Sequence, residues 1–326
     1  MIYYRLPFGE KIFTIEKNSA GKAFSAVSFN GQEVLDFEGQ SKGISFSEFL
    51  STQLDTTKNS GVLVEFMPEG EKMYVEKIDE VIDFIRKNSL AKLVISRIKL
   101  LVYSHHHSTG IDLTRTFLNL CETYPNALVY VFRKGDYCWI GAFSELLGKY
   151  SKKTGSFETM SLAGTIPVNE EWSRKEIEEQ KPVTSYIERI LKKFSPEVKQ
   201  SETYDHISGN IKHLRTDFKA EITEYQLNEL INELHPTPAV CGIPKDFCKN
   251  AIERFERYPR EFYAGYIKIE TDEEIYYFVN LRCAELLKNA ALLHVGGGIT
   301  ADSDSQKEWR ETELKSEAIL KNLVFL

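Results

Sequence analysis

Runs rich in β-branched and aromatic residues recur along the chain and predict strands. They are GVLVEF (61–66), KLVISRIKLLVY (92–103), ALVYVF (127–132), YCWIGAF (137–143), EFYAGYIKIE (261–270), EIYYFVNLRC (274–283) and ALLHV (291–295). Between them the apolar period changes to that of a helix. Val81, Ile82 and Ile85 mark one helix, and Ile177, Val183, Ile187 and Ile190 a second. Phe247, Ala251, Ile252 and Phe255 follow Pro244 as a third, and Trp309, Ala318, Ile319 and Leu323 follow Ser305 as a fourth. Pro182 falls inside the second and predicts a kink or a restart there, because proline lacks the N–H that a helix interior needs. Strands come in adjacent pairs as often as they alternate with helices. The reading is an α+β protein built on large antiparallel β-sheets.

Composition supports a folded core without indicating a partner. The chain has 326 residues, 42% of them hydrophobic, enough to bury a sizeable core. Mean hydropathy is −0.32, and no apolar run approaches the roughly 20 residues of a membrane helix. The opening MIYYRLPFGEKIF lacks the basic, apolar and small-residue segments of a secretion signal. Cys121, Cys138, Cys241, Cys248 and Cys283 are odd in number and form no CxxC pair, which reads as reduced, buried thiols of a cytoplasmic protein. A net charge of −7 without a basic stripe excludes nucleic acid and anionic membrane as natural partners. An anionic substrate would need local attraction from a metal ion or from a few placed cations.

Candidate chemistry is sparse when the residues are read alone. Glu176 and Glu179 lie one turn apart on one predicted helix, and Glu308 and Glu311 on another, with Lys315 four residues beyond Glu311 on the same face. Two such carboxylate pairs could hold magnesium, although a solvated helix face carrying ion pairs has the same pattern. Gly296, Gly297 and Gly298 follow ALLHV; they could turn a hairpin or turn main-chain N–H groups toward an anion. His105, His106 and His107 read as a surface loop, and His206, His213, His235 and His294 stand isolated. No Gly-x-Ser-x-Gly elbow supports a hydrolase.

Taken in order, several segments resemble the signature blocks of the chorismate-utilising enzymes, the family of anthranilate, aminodeoxychorismate, isochorismate and salicylate synthases. The blocks are KLVISR (92–97), IGAFSELL (140–147), SLAGT (161–165), EEQKPVTSYI (178–187), HPTPAVCGIP (235–244), REFYAG (260–265), HVGGGITADSD (294–304) and EWRETELK (308–315). The resemblance implies one catalytic domain over 1–326, with a divergent part at 1–75 and a motif-bearing core at 76–326. It implies sheets packed as a sandwich with helices outside. Departures from the family pattern are Phe143-Ser144 before Glu145, Gln180 after Glu179, and Tyr266-Ile267-Lys268.

The resemblance also implies roles. Glu179 and Glu311 would bind Mg²⁺, with Glu176 and Glu308 behind water; Arg282 and Tyr263 would hold the enolpyruvyl carboxylate of chorismate. Thr165, His213, Gly296, Gly297, Gly298 and Lys315 would complete the substrate pocket. Lys92 would activate water, for which it has to shed its proton during the cycle, and Glu145, with a raised pKa, would protonate the leaving hydroxyl. Lys92 stands where ammonia-using anthranilate synthases carry glutamine, and Ala163 where aminodeoxychorismate synthases carry lysine. The implied activity is therefore a hydroxymutase-type isomerase, isochorismate synthase, feeding menaquinone or siderophore synthesis without a glutamine amidotransferase partner. Salicylate synthase is the alternative, followed by an ammonia-using synthase and by a chorismate-binding protein without catalysis.

Overall fold

The computed structural model describes residues 1–16, 21–57, 61–208 and 211–326, leaving the side chains of Lys175, Glu179 and Ser208 outside that description. Among the described residues the strands form two nine-stranded antiparallel sheets. The first runs in the order Gly242–Ile243, Lys92–Val102, Ala290–Ile299, Cys283–Leu286, Tyr137–Phe143, Leu128–Lys134, Ile2–Arg5, Ile12–Glu16 and Gln40–Ile44. The second runs Val198–Gln200, Ile211–Glu221, Ser156–Pro167, Leu146–Ser151, Glu274–Val279, Tyr266–Glu270, Lys22–Val27 and Val34–Glu38, with Tyr204–Ser208 paired to Ile211–Glu221. The segment 1–75 is woven into both: Ile2–Arg5 pairs with Leu128–Lys134, and Lys22–Val27 with Tyr266–Glu270.

Period-2 alternation explains why the first sheet reads as near-continuous apolar runs. Along Leu128–Lys134, Leu128, Tyr130 and Phe132 enter the core that includes residues of the second sheet, such as Phe157 and Ile267. Val129 and Val131 enter a second core with Phe117, Leu120 and Ile319, from the Leu113–Thr123 and Ser305–Leu320 helices. A strand buried on both faces loses its polar alternation. No helix among the described residues is long and apolar enough to cross a membrane.

Several sequence expectations are revised. The 61–66 run has no strand; Val62 and Val64 are exposed, and the Leu63 peptide is held by the Asn289 side chain (Leu63 N to Asn289 Oδ1 2.9 Å, Asn289 Nδ2 to Leu63 O 3.0 Å) instead of a ladder. Pro182 does not restart its helix, which runs from Arg174 to Phe194. The 261–270 run is a turn until Tyr266, and the 274–283 run divides into Glu274–Val279 and Cys283–Leu286. The glycine triplet is not a turn. It lies within the Ala290–Ile299 strand, with Gly296, Gly297 and Gly298 opposite Ser96, Ile95 and Val94.

Candidate active site

One cleft gathers side chains from strands, loops and two helices. Lys92 begins the Lys92–Val102 strand and is 5% exposed; Glu145, between the strands Tyr137–Phe143 and Leu146–Ser151, is 8% exposed. Both line the cleft. Burial pushes the Glu145 carboxyl up to about 7, against the opposing pull of the nearby positive charges of Lys92, Lys315 and Arg282. A carboxylic acid that holds its proton near neutral pH can serve as a general acid.

The acidic helix is positioned by the strand that carries Lys92. Arg97 on that strand lies over the Trp309 ring at 3.8 Å, and its Nε donates to Thr312 Oγ1 at 2.9 Å. Cation–π contact and hydrogen bond dock the Ser305–Leu320 helix on the sheet, and Asp304 caps its start by accepting from Lys307 N. Its inner face then presents Glu308, Glu311 and Lys315. A Cβ placed on Gly297 would sit 2.9 Å from Glu308 Oε2 and 3.8 Å from Glu311 Oε1, so the two carboxylates converge over a residue with no side chain. Glu308 is 3% exposed and its Oε1 accepts from Ser303 Oγ at 2.8 Å. Glu311 Oε1 accepts from Lys315 Nζ at 2.5 Å, and the same ammonium donates to Gly296 O at 2.9 Å.

Glu176 reaches the cleft from the Arg174–Phe194 helix, where its Oε2 accepts from Ser173 N (3.0 Å) and Ser173 Oγ (2.5 Å). Glu179 is in this helix, but its side chain lies outside the described residues. Among the described residues no group of three His, Cys, Asp or Glu side chains is disposed to hold a metal. The Glu308–Glu311 pair nevertheless suits a hard cation that keeps several non-protein oxygens as ligands.

The remaining predicted residues lie on other walls of the same cleft. Arg282 has φ +44, at the break between Glu274–Val279 and Cys283–Leu286. Tyr263, 5% exposed, stacks on His294 (5.6 Å, 25°), and His294 stacks in turn on Trp139 (5.0 Å, 30°). His213 Nδ1 lies 2.9 Å from Gly164 O and 3.1 Å from Thr165 Oγ1. A carbonyl accepts only, so Nδ1 carries the proton. Burial, with the Arg282 charge, lowers the His213 pKa to about 3, leaving a neutral ring with Nε2 as an acceptor. Cys283–Leu286 pairs with Ala290–Ile299 only as far as His294, so past that point the glycine strand has one edge open for main-chain contacts.

His294, Tyr124, Ala239 and Val240 also line the cleft and were not predicted as site residues. Ala239 and Val240 belong to HPTPAVCGIP, a segment legible as a signature block. His294 begins the glycine block but reads as an isolated histidine. Tyr124 carries no sequence signal. His105, His106 and His107 are exposed on a 3₁₀ turn, with His106 stacked on Phe325 at 4.6 Å; the five cysteines are buried and none is in a disulfide.

The family model described as "Chorismate binding enzyme" matches residues 32–324. The isochorismate synthase MenF of Escherichia coli is 26% identical over 205 residues, covering 57% of this chain and 46% of that protein. Anthranilate synthase component 1 of Saccharolobus solfataricus is 26% identical over 278 residues, covering 78% and 63% respectively. The chain thus spans about half to just under two thirds of the length of these curated relatives. The solved structure of the menaquinone-specific isochorismate synthase MenF of Escherichia coli superposes with a TM-score of 0.79 at 17% identity, over 98% of this chain and 88% of that one, a likeness of fold.

Proposed function

The chain belongs to the chorismate-binding enzymes, and on that premise we propose that it is an isochorismate synthase, an isomerase that adds water at ring carbon 2 of chorismate and releases the carbon 4 hydroxyl. The observation that carries the reading is the pairing of Lys92 and Glu145 on one cleft, with Glu145 held at about 7. Lys92 takes a proton from the attacking water and Glu145 gives one to the departing hydroxyl, which leaves as water while the ring double bonds shift. Water in and water out balance, so the product is an isomer. Lysine at position 92 and Ala163 on the cleft wall favour water over ammonia as the nucleophile, and no amidotransferase partner is required.

The substrate is a dianion in a protein of net charge −7. Arg282, Tyr263 and the open edge at Gly296–Gly298 bind the enolpyruvyl carboxylate, and Thr165 with neutral His213 borders the ring. Glu308 and Glu311, with Glu176 and Glu179 from the facing helix, would hold a magnesium ion, which supplies positive charge against the ring carboxylate. Five buried cysteines outside any disulfide favour a cytoplasmic location, and the likeness of fold to the menaquinone-specific MenF favours menaquinone synthesis.

Incubation with chorismate and Mg²⁺ followed by product separation tests the reading. Isochorismate as sole product is expected. Salicylate with pyruvate would instead make the chain a salicylate synthase, and binding without conversion would make it non-catalytic.

A further inference from the structure

We propose that Tyr124 is an additional substrate-binding residue whose hydroxyl donates a hydrogen bond to the enolpyruvyl carboxylate beside Arg282. The assignment rests on the chorismate reading above and adds a contact from a part of the chain that carries no signature block.

Tyr124 terminates the Leu113–Thr123 helix and lines the cleft, half-buried. Its backbone is fixed from the N-terminal strand. Arg5 Nη2 donates to Tyr124 O (2.7 Å) and Ala127 O (2.9 Å), and Arg5 Nη1 donates to Pro125 O (3.1 Å). One buried guanidinium thereby ties down three carbonyls of the loop that carries the phenol. Ala127, Ala142 and Ala318 line the same cleft with small side chains.

Tyr124 is one of the residues lining the cleft, and among the described residues its hydroxyl has no protein hydrogen-bond partner. Its charged surroundings suit an anion: Arg282 and Lys321 act on the phenol, with Glu317 opposing them. Burial outweighs those cations and raises the Tyr124 pKa, so the group keeps its proton and can donate. Arg282 feels Tyr124 and Tyr263 together with Glu311 and Glu145. Tyr124 and Tyr263, from two different elements, line the same cleft as Arg282, so the proposed contact adds a second phenol to the site that takes the carboxylate. Hydrogen bonds to charged groups are the stronger class.

The test is Tyr124→Phe in the full chain, with two ligands. Chorismate carries the enolpyruvyl arm; 3-hydroxybenzoate has a ring carboxylate and lacks the arm. The expected result is a KM and calorimetric Kd for chorismate raised about tenfold or more. Turnover at saturation should stay within about twofold, because the contact is uniform to ground and transition states, and 3-hydroxybenzoate inhibition should be unchanged. Unaltered chorismate affinity overturns the assignment. So does an equal loss for both ligands, which would mean a loosened cleft. Wild-type chain that binds chorismate without converting it refutes the isochorismate synthase reading alone, because Tyr124 is then judged on calorimetric binding. Wild-type chain that does not bind chorismate overturns both.

Discussion

Gly297 and Glu308 approach more closely than any side chain at position 297 would allow, since a Cβ there would lie 2.9 Å from Glu308 Oε2. The glycine is required by space, because its φ is not in the left-handed region. The clash would fall on the end of a side chain, so the fold can yield while the carboxylate moves. Gly297→Ala should therefore change melting temperature little. It should raise the magnesium concentration for half-maximal activity by about 10- to 100-fold, the range seen when groups supporting a metal ligand are disturbed. Magnesium titration of activity, beside a thermal melt, checks both. An unchanged half-saturation point would remove the Glu308–Glu311 pair from the metal site.

Lys92→Gln removes the proposed base while keeping a polar group of similar length. Turnover should fall by about 10²- to 10⁴-fold, the usual contribution of a positioned acid or base. Chorismate binding in the presence of magnesium should persist, measured by calorimetry. Near-normal turnover would exclude Lys92 as the base.

Glu145 is held at about 7, above the ordinary carboxyl value of 4.5, by burial. Two consequences follow from the sign. Catalysis needs the protonated acid, so activity should decline as pH rises through about 7. Folding is linked in the same direction. The folded state binds this proton more tightly than the unfolded chain, so the stabilisation is full below pH 4.5 and is lost as pH rises through 7. Glu145→Gln, which mimics the protonated acid, should be inactive yet more stable than the parent at pH 8 by up to about 3 kcal/mol, a gain that shrinks toward pH 5. Urea unfolding at the two pH values decides the point. A variant less stable than the parent at pH 8 would show that ionised Glu145 is well compensated by its cationic neighbours.

Much of this architecture was legible in the chain. Tyr137–Phe143 is legible as a run of aromatic and β-branched residues, and the helices after Pro244 and Ser305 from their apolar period, because burial in a packed core imposes these patterns locally. Other elements were missed for physical reasons. The strand Ile211–Glu221 (IKHLRTDFKAE) is largely polar, with none of the apolar density that marks a core strand. The exposed 61–66 run has β-rich composition without a partner strand, and composition cannot supply one.

The sequence by itself determined the α+β class, the signature blocks, and the carboxylates and lysine on one face of the last helix, because periodicity and residue type are local properties. The tertiary structure decided that the glycine triplet is a strand beneath Glu308 and Glu311, that Glu145 shares a cleft with Lys92, and that Tyr124 is carried there on a loop clamped by Arg5. Those facts arise from desolvation and close approach between elements distant in the chain, and neither leaves a mark on the residues nearby in sequence.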